Sequence, residues 1–305
     1  MTEHRYVKIT IINAFSYSGH GGSLTGIVAS PSGMSEDQLA SIAAQSKASH
    51  VVYISDSQRP QTRCRLRFFT KSDEIKNCAH GTTAAHWYLA TQASLKQNQV
   101  LWQETMTGRQ QVWVDLNNDD YLVRFAQHSV GLSPVDDLVN MNLLNTLGIV
   151  LPDLSARYQV VFASPGAKRF LLPIKSSREL HAIQPDFPRL KSLCEIQQSI
   201  GCFVYSLEGA SPKFCAYGRM FAPAIGVEQD MDNGNSAGCL GAYLLKEQNQ
   251  ENAAIEQLDL EVFQGMAFDT LGRVKVIAQF DDQVIMTFIQ GSAYYSGEEL
   301  IVLRN

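Results

Sequence analysis

The sequence predicts two similar half-domains, each a sheet of strands wrapped around its own buried central helix. Three observations predict it. The chain has 305 residues, too long for one typical core and suited to two domains of ordinary size. It also carries an internal repeat. His80-Gly-Thr-Thr-Ala-Ala-His-Trp-Tyr-Leu89 and Asn235-Ser-Ala-Gly-Cys-Leu-Gly-Ala-Tyr-Leu244 align without gaps at an offset of 155. They share the final Tyr-Leu, and Arg67-Phe-Phe-Thr70 precedes one as Arg219-Met-Phe-Ala222 precedes the other. Third, Thr82 to Ala90 and Ala237 to Leu245 are apolar or small on nearly every face, which is the pattern of a helix buried all round.

Strands account for most of the remaining chain. Tyr6–Ile12, His50–Ile54, Gln110–Asp115 and Tyr121–Phe125 read as short strands in the first half, with Arg67–Thr70 beside them. In the second half, Gln159–Phe162, Arg169–Leu172, Gly201–Tyr205, Arg273–Ile277 and Val284–Phe288 do the same, with Arg219–Ala222. Surface helices are predicted at Ser35–Ala48 and Asp137–Thr146, and the stretch from Gln127 to Pro134 reads as a hinge. No low-complexity linker occurs.

Composition narrows the function. Hydrophobic residues make up 45% and charged residues 18%, the balance of a soluble globular protein. The net charge of -5 and pI near 5.8 argue against nucleic acid, and no Lys/Arg cluster suits an acidic membrane surface. No run of about 18 apolar residues reads as a transmembrane helix. The polar start Met1-Thr2-Glu3-His4-Arg5 does not read as a signal peptide. Six cysteines, Cys64, Cys78, Cys194, Cys202, Cys215 and Cys239, show neither CxxC pairing nor zinc spacing. They read as free thiols, so a cytoplasmic location is expected.

Two attractive motifs fail. Gly234-Asn-Ser-Ala-Gly238 matches G-x-S-x-G, but a polar run from Gln229 to Asn233 leads into it and no His follows His181. Gly19-His-Gly-Gly-Ser-Leu24 lacks the third glycine of a dinucleotide loop and reads as a hairpin loop, and His20 there has no neighbour of metal-ligand spacing. The expectation is therefore no cofactor and no metal.

The order of the remaining pieces resembles the PhzF family of the diaminopimelate-epimerase superfamily, over essentially the whole chain. The residues that carry it are Arg67-Phe-Phe-Thr70, Cys78-Ala-His-Gly-Thr82, Gly218-Arg-Met-Phe-Ala-Pro-Ala-Ile-Gly226, Asp230 and Gly234-Asn235. Ser164-Pro-Gly166, Gln264-Gly265 with Gly272-Arg273, and Gln290-Gly291 add to it. The resemblance implies an α+β fold of two pseudo-symmetric diaminopimelate-epimerase-like domains, each a curved, mostly antiparallel sheet around a central helix. It places these domains at 1–128 plus 294–305 and at 129–293, because the last strand, about Glu298 to Leu303, crosses back to the first. It further implies a homodimer, no cofactor, and a small carboxylate-bearing substrate in the cleft between the domains. Helix N-termini suit such a ligand, since they present unpaired N–H groups and a positive dipole end.

The resemblance also implies residue roles. Family members move a proton with the acidic residue of a Ser-Glu-Thr segment, and this chain has Ser49-His50-Val51 there. An imidazole, with a reference pKa of about 6.5, is a sound general base or acid near neutrality. His50, His80 and Asp230 are thus the catalytic candidates. Asn235, Gly234, Ala79, Gly81, Cys78 and Ser23 are the substrate-binding ones. Diaminopimelate epimerase and proline racemase use one cysteine from each half, but the partner of Cys78 would be Asn233, which cannot ionise. Cys78 then reads as a small buried residue beside the site. Ser23-Leu24, Lys71, Gln229 and Met231 also depart from the family pattern. Two functions stay open: a cofactor-independent isomerase or epimerase, and a non-catalytic homologue that binds a metabolite or protein.

Overall fold

The computed structural model describes residues 5–303 apart from 119, 128, 211, 212 and 269. The chain divides into two compact units, one of residues 1–126 with 290–305 and one of residues 127–289.

In the first unit, strands β1 (Arg5–Ala14), β2 (Ser23–Ala29), β3 (His50–Ser55), β4 (Cys64–Phe69) and a short β5 (Glu74–Ile75) precede the central helix α2 (Ala79–Ala93). Helix α1 (Glu36–Gln45) links β2 to β3. Strands β6 (Gln99–Thr105), β7 (Gly108–Asn117) and β8 (Asp120–Ala126) follow α2. Pairing is antiparallel except for β2 with β3 and β4 with β6, where helices make the crossovers. Alternation along the strands sorts the core into two layers. Val51 and Tyr53 of β3 pack with Leu39 and Ile42 of α1, whereas Val52 and Ile54 pack with Ala84 and Ala85 of α2. Helix α2 touches β1, β2, β3, β7 and β8, which explains its small residues. A Cβ on Gly81 would lie 2.8 Å from the Phe68 ring.

The second unit repeats this plan. Strands β9 (Gly131–Pro134), β10 (Val161–Ser164), β11 (Arg169–Ile174), β12 (Cys202–Ala210), β13 (Lys213–Ala222) and the short β14 (Val227–Asp230) lead to central helix α6 (Gly234–Glu251). Helices α3 (Asp137–Leu147), α4 (Ser177–Ala182) and α5 (Phe187–Ile196) cover the outer side, packing Leu144, Leu180 and Leu190 on Leu172 and Val204. Strands β15 (Gln257–Gln264), β16 (Gly272–Asp281) and β17 (Val284–Gly291) follow α6. As before, pairing is parallel at the two helical crossovers, β11 with β12 and β13 with β15. The final strand β18 (Ala293–Leu303) pairs antiparallel with β1 and belongs to the first unit.

The two pieces ahead of the repeat match in detail. Arg67 lies over the Phe69 ring at 5.1 Å, and Arg219 over Phe221 at 4.7 Å. Each arginine also ties its strand to an outer helix: Arg67 to Glu36 of α1 by an ion pair, and Arg219 to the carbonyls of Leu180 and Ile183 around the end of α4.

The stretch from Gln127 to Pro134, read as a hinge, begins where the second unit begins, and its end is strand β9, paired with β10. Two expectations are corrected. Helix α1 stops at Gln45 rather than Ala48 because the Glu299 carboxylate accepts from the Ser46 hydroxyl and the Lys47 N–H, holding the chain extended there. The polar run from Gln229 to Asn233 is partly strand, since β14 pairs with β13 through Asp230 and Met220. Helices α4 and α5 lie outside the expected set.

Candidate functional site

Each unit builds its candidate residues around the start of its central helix. In the first, Cys78 is the N-cap of α2 and its Sγ accepts from the Gly81 N–H at 3.4 Å. Two residues on, His80 turns its Nε2 to within 3.2 Å of Cys78 Sγ. His50 opens β3, and its ring meets the edge of the His80 ring at 4.4 Å between centroids, 74° apart. All three side chains are buried, with 7% of His50 and 3% of Cys78 and His80 accessible. Ala79, the first helical residue, presents one of the N–H groups that have no acceptor inside the helix.

Ser49 Oγ orients the His50 ring. It lies 3.1 Å from the Leu24 carbonyl, to which it donates, and 3.1 Å from His50 Nδ1. With the hydroxyl proton on that carbonyl, Nδ1 is the nitrogen that donates to Ser49, and Nε2 of the neutral ring holds the lone pair. Ser23 starts β2 close by in sequence to Leu24, with its buried Oγ making no hydrogen bond.

In the second unit the N-cap of α6 is Asn233. Its Oδ1 accepts from the Ser236 N–H at 2.7 Å and from Arg169 Nη1 at 3.3 Å. Its Nδ2 donates to Asp230 Oδ2 at 2.9 Å, and its backbone N–H donates to Gln264 Oε1 at 3.0 Å. Asn235 is anchored by Gln127, whose Nε2 donates to the Asn235 carbonyl at 3.1 Å while its Oε1 accepts from Thr287. Gly234 is the first, buried residue of α6. The structure thus groups His50, Cys78, His80, Ala79 and Gly81 in one unit, and Asp230, Gly234 and Asn235 in the other.

Sequence reasoning missed two buried ionisable groups in the second unit. Arg169 is 2% accessible and also donates to Ser236 Oγ and the Ala167 carbonyl. Burial draws its guanidinium below the usual arginine value, an effect that Cys239 and Asp230 oppose. Asp232 is fully buried with both carboxyl oxygens unpartnered. A Cβ on Gly272 would lie 2.1 Å from one of them. Burial, with the Asp230 charge second, pushes the Asp232 carboxyl well above its ordinary range. The sequence signals were faint: Arg169 opens an otherwise apolar strand, and Asp232 sits inside the turn before α6.

Two units of matching plan, each with a capped central helix behind a short strand, fit one family, and its pattern covers residues 12–298. The chain belongs to the phenazine biosynthesis-like protein family. Within and around that family, it is 29% identical over 297 residues to an uncharacterized isomerase of Clostridium acetobutylicum, covering 96% of this chain and 97% of the relative. It is 28% identical over 287 residues to the uncharacterized isomerase YddE of Escherichia coli K12, with coverage of 92% and 94%. Among solved structures, a phenazine biosynthesis protein of the PhzF family from Bacillus anthracis superposes with a TM-score of 0.87 at 22% identity, covering 97% of this chain and 99% of that one. The fold is accordingly α+β, of the two-domain diaminopimelate-epimerase type, and the family is isomerase-like. Among the described residues, no helix is long and apolar enough to cross a membrane.

Proposed function

We propose that this chain is a cofactor-independent isomerase or epimerase that moves a proton on a small carboxylate-bearing metabolite, with His50 as the proton carrier. The observation that carries this reading is the Leu24–Ser49–His50 chain of hydrogen bonds, which leaves a lone pair on His50 Nε2. A general base needs that lone pair and a fixed ring. In the proposal, Nε2 takes a proton from an activated C–H carbon and becomes imidazolium, and the proton returns to the substrate at a second position. His80, whose ring meets that of His50, relays the proton or binds substrate.

The substrate carboxylate is assigned to the helix starts, where Ala79 and Gly81 in one unit and Gly234 and Asn235 in the other offer N–H and amide donors. Asp230 orients the substrate from its bond to Asn233. Sharing of one ligand by both units, and a homodimeric assembly, belong to the proposal as the family resemblance implies them.

The test is solvent deuterium incorporation across a panel of carboxylate metabolites that bear an acidic C–H. The wild-type chain is expected to label at least one, and His50→Ala to abolish that labelling. Retained exchange in His50→Ala removes His50 from the mechanism. The second reading, a homologue that only binds, is favoured by the imidazole standing where family members carry a carboxylate. His50→Glu separates the two: labelling gained only in that variant marks the wild type as a binder.

A further inference from the structure

His50 lies well before Cys78 and His80 in the sequence, yet each of the three offers a ligand atom and these atoms lie within 4.8 Å of one another. We propose that these three side chains bind a single Zn2+ ion, through Cys78 Sγ, His80 Nε2 and His50 Nε2, leaving a fourth position open. Thiolate and imidazole together suit zinc, and three protein ligands with one open position are a common arrangement for it.

The distances fit. Zn–S of about 2.3 Å and Zn–N of about 2.1 Å set a tetrahedral S···N edge of about 3.6 Å. Cys78 Sγ and His80 Nε2 are 3.2 Å apart already and need open only slightly, and the His50 ligand atom lies within 4.8 Å of both. The surroundings fit as well. A zinc-bound histidine usually donates its other ring N–H to an oxygen that holds its orientation. His50 makes that bond to Ser49 Oγ, whose own proton is committed to Leu24. All three groups are at least nine-tenths buried, so water competes poorly for the ion. In proton terms the ion replaces the proton shared by Cys78 Sγ and His80 Nε2, which leaves to solvent.

Binding stands apart from the isomerase reading, but its consequence rests on it. An ion on His50 Nε2 occupies the lone pair that would accept the substrate proton, so metal binding and proton transfer exclude each other.

Co2+ is the probe. Added to the metal-free full chain, it should produce a sulfur-to-cobalt charge-transfer band that saturates at one equivalent and is bleached by Zn2+. Cys78→Ala should lose the band, and Cys215→Ser, a half-buried thiol elsewhere, should keep it. Ser49→Ala alters an exposed residue outside the ligand set and should weaken Co2+ binding by about 10- to 100-fold. No band in the wild type, a band surviving in Cys78→Ala, or unchanged affinity in Ser49→Ala overturns the metal site. Deuterium exchange by the metal-free chain is measured in parallel. Exchange without a cobalt band sinks the metal site alone, and a one-equivalent band without exchange sinks the isomerase reading alone.

Discussion

Cys78 and Asn233 occupy the same place in their units. Each follows a short strand, has extended backbone, and accepts the N–H of the residue three positions on. Around Cys78 stand two imidazoles; around Asn233 stand a guanidinium, a carboxylate and an amide, all hydrogen-bonded to it. One architecture therefore presents a soft, protonatable cap in one half and a rigid, non-ionising cap in the other. The duplication preserved backbone geometry while letting the chemistry at the helix start diverge.

The two caps differ most in what they contribute to stability. Asn233→Ala removes the cap and takes one hydrogen-bond partner each from buried Arg169 and from Asp230, so a loss of about 3 to 4 kcal/mol is expected in urea unfolding. A loss below about 1 kcal/mol would make the second cap no more rigid than the first.

The imidazole buried deeper in α2 gives the next effect. His86 is fully buried against Gln103, and burial lowers it to about 4 although the Gln103 bond opposes this. A folded value below the unfolded one of about 6.5 means the unfolded chain binds the extra proton first. His86 therefore costs nothing above about pH 6.5 and destabilises progressively as pH falls toward 4. The full effect is about 3 kcal/mol. His86→Gln should remove that component from a plot of unfolding free energy against pH.

Asp232 has the opposite dependence and sits in the other unit. Its raised folded value means stability is intact below the ordinary aspartate range and declines as pH rises above about 4. Asp232→Asn should stabilise by about 2 kcal/mol at neutral pH, with a larger gain at pH 8 than at pH 5. An equal gain at all pH values would show that the carboxyl is not held neutral. Smallest of all, Cys78→Ala should cost less than about 1 kcal/mol, because a thiol is a weak acceptor.

Much of this was legible beforehand. The repeat marked both central helices, since Gly81 and its neighbours had to be small for β3 and β4 to approach. The alignment of the halves paired Cys78 with Asn233, and the structure shows both to be helix N-caps. The family resemblance named His50, Cys78 and His80 as site residues, but linear spacing gave no metal-ligand pattern, because His50 joins the other two through sheet topology. Arg169 was equally hidden, as its side-chain partners Asn233 and Ser236 lie more than sixty residues along the chain. Helix α5 could have been found: Asp186 accepts from the Arg189 N–H, Pro188 follows, and Leu190, Leu193 and Cys194 form one buried stripe.

The pairing of β18 with β1 has a consequence for biosynthesis. A ribosome that has released residues through 291 has delivered every strand of the second unit, whose segment is continuous. The first unit, although made earlier, still lacks the strand that pairs with one edge of β1, while β2 pairs with the other. That edge stays open until β18 emerges, so the later half can finish folding first.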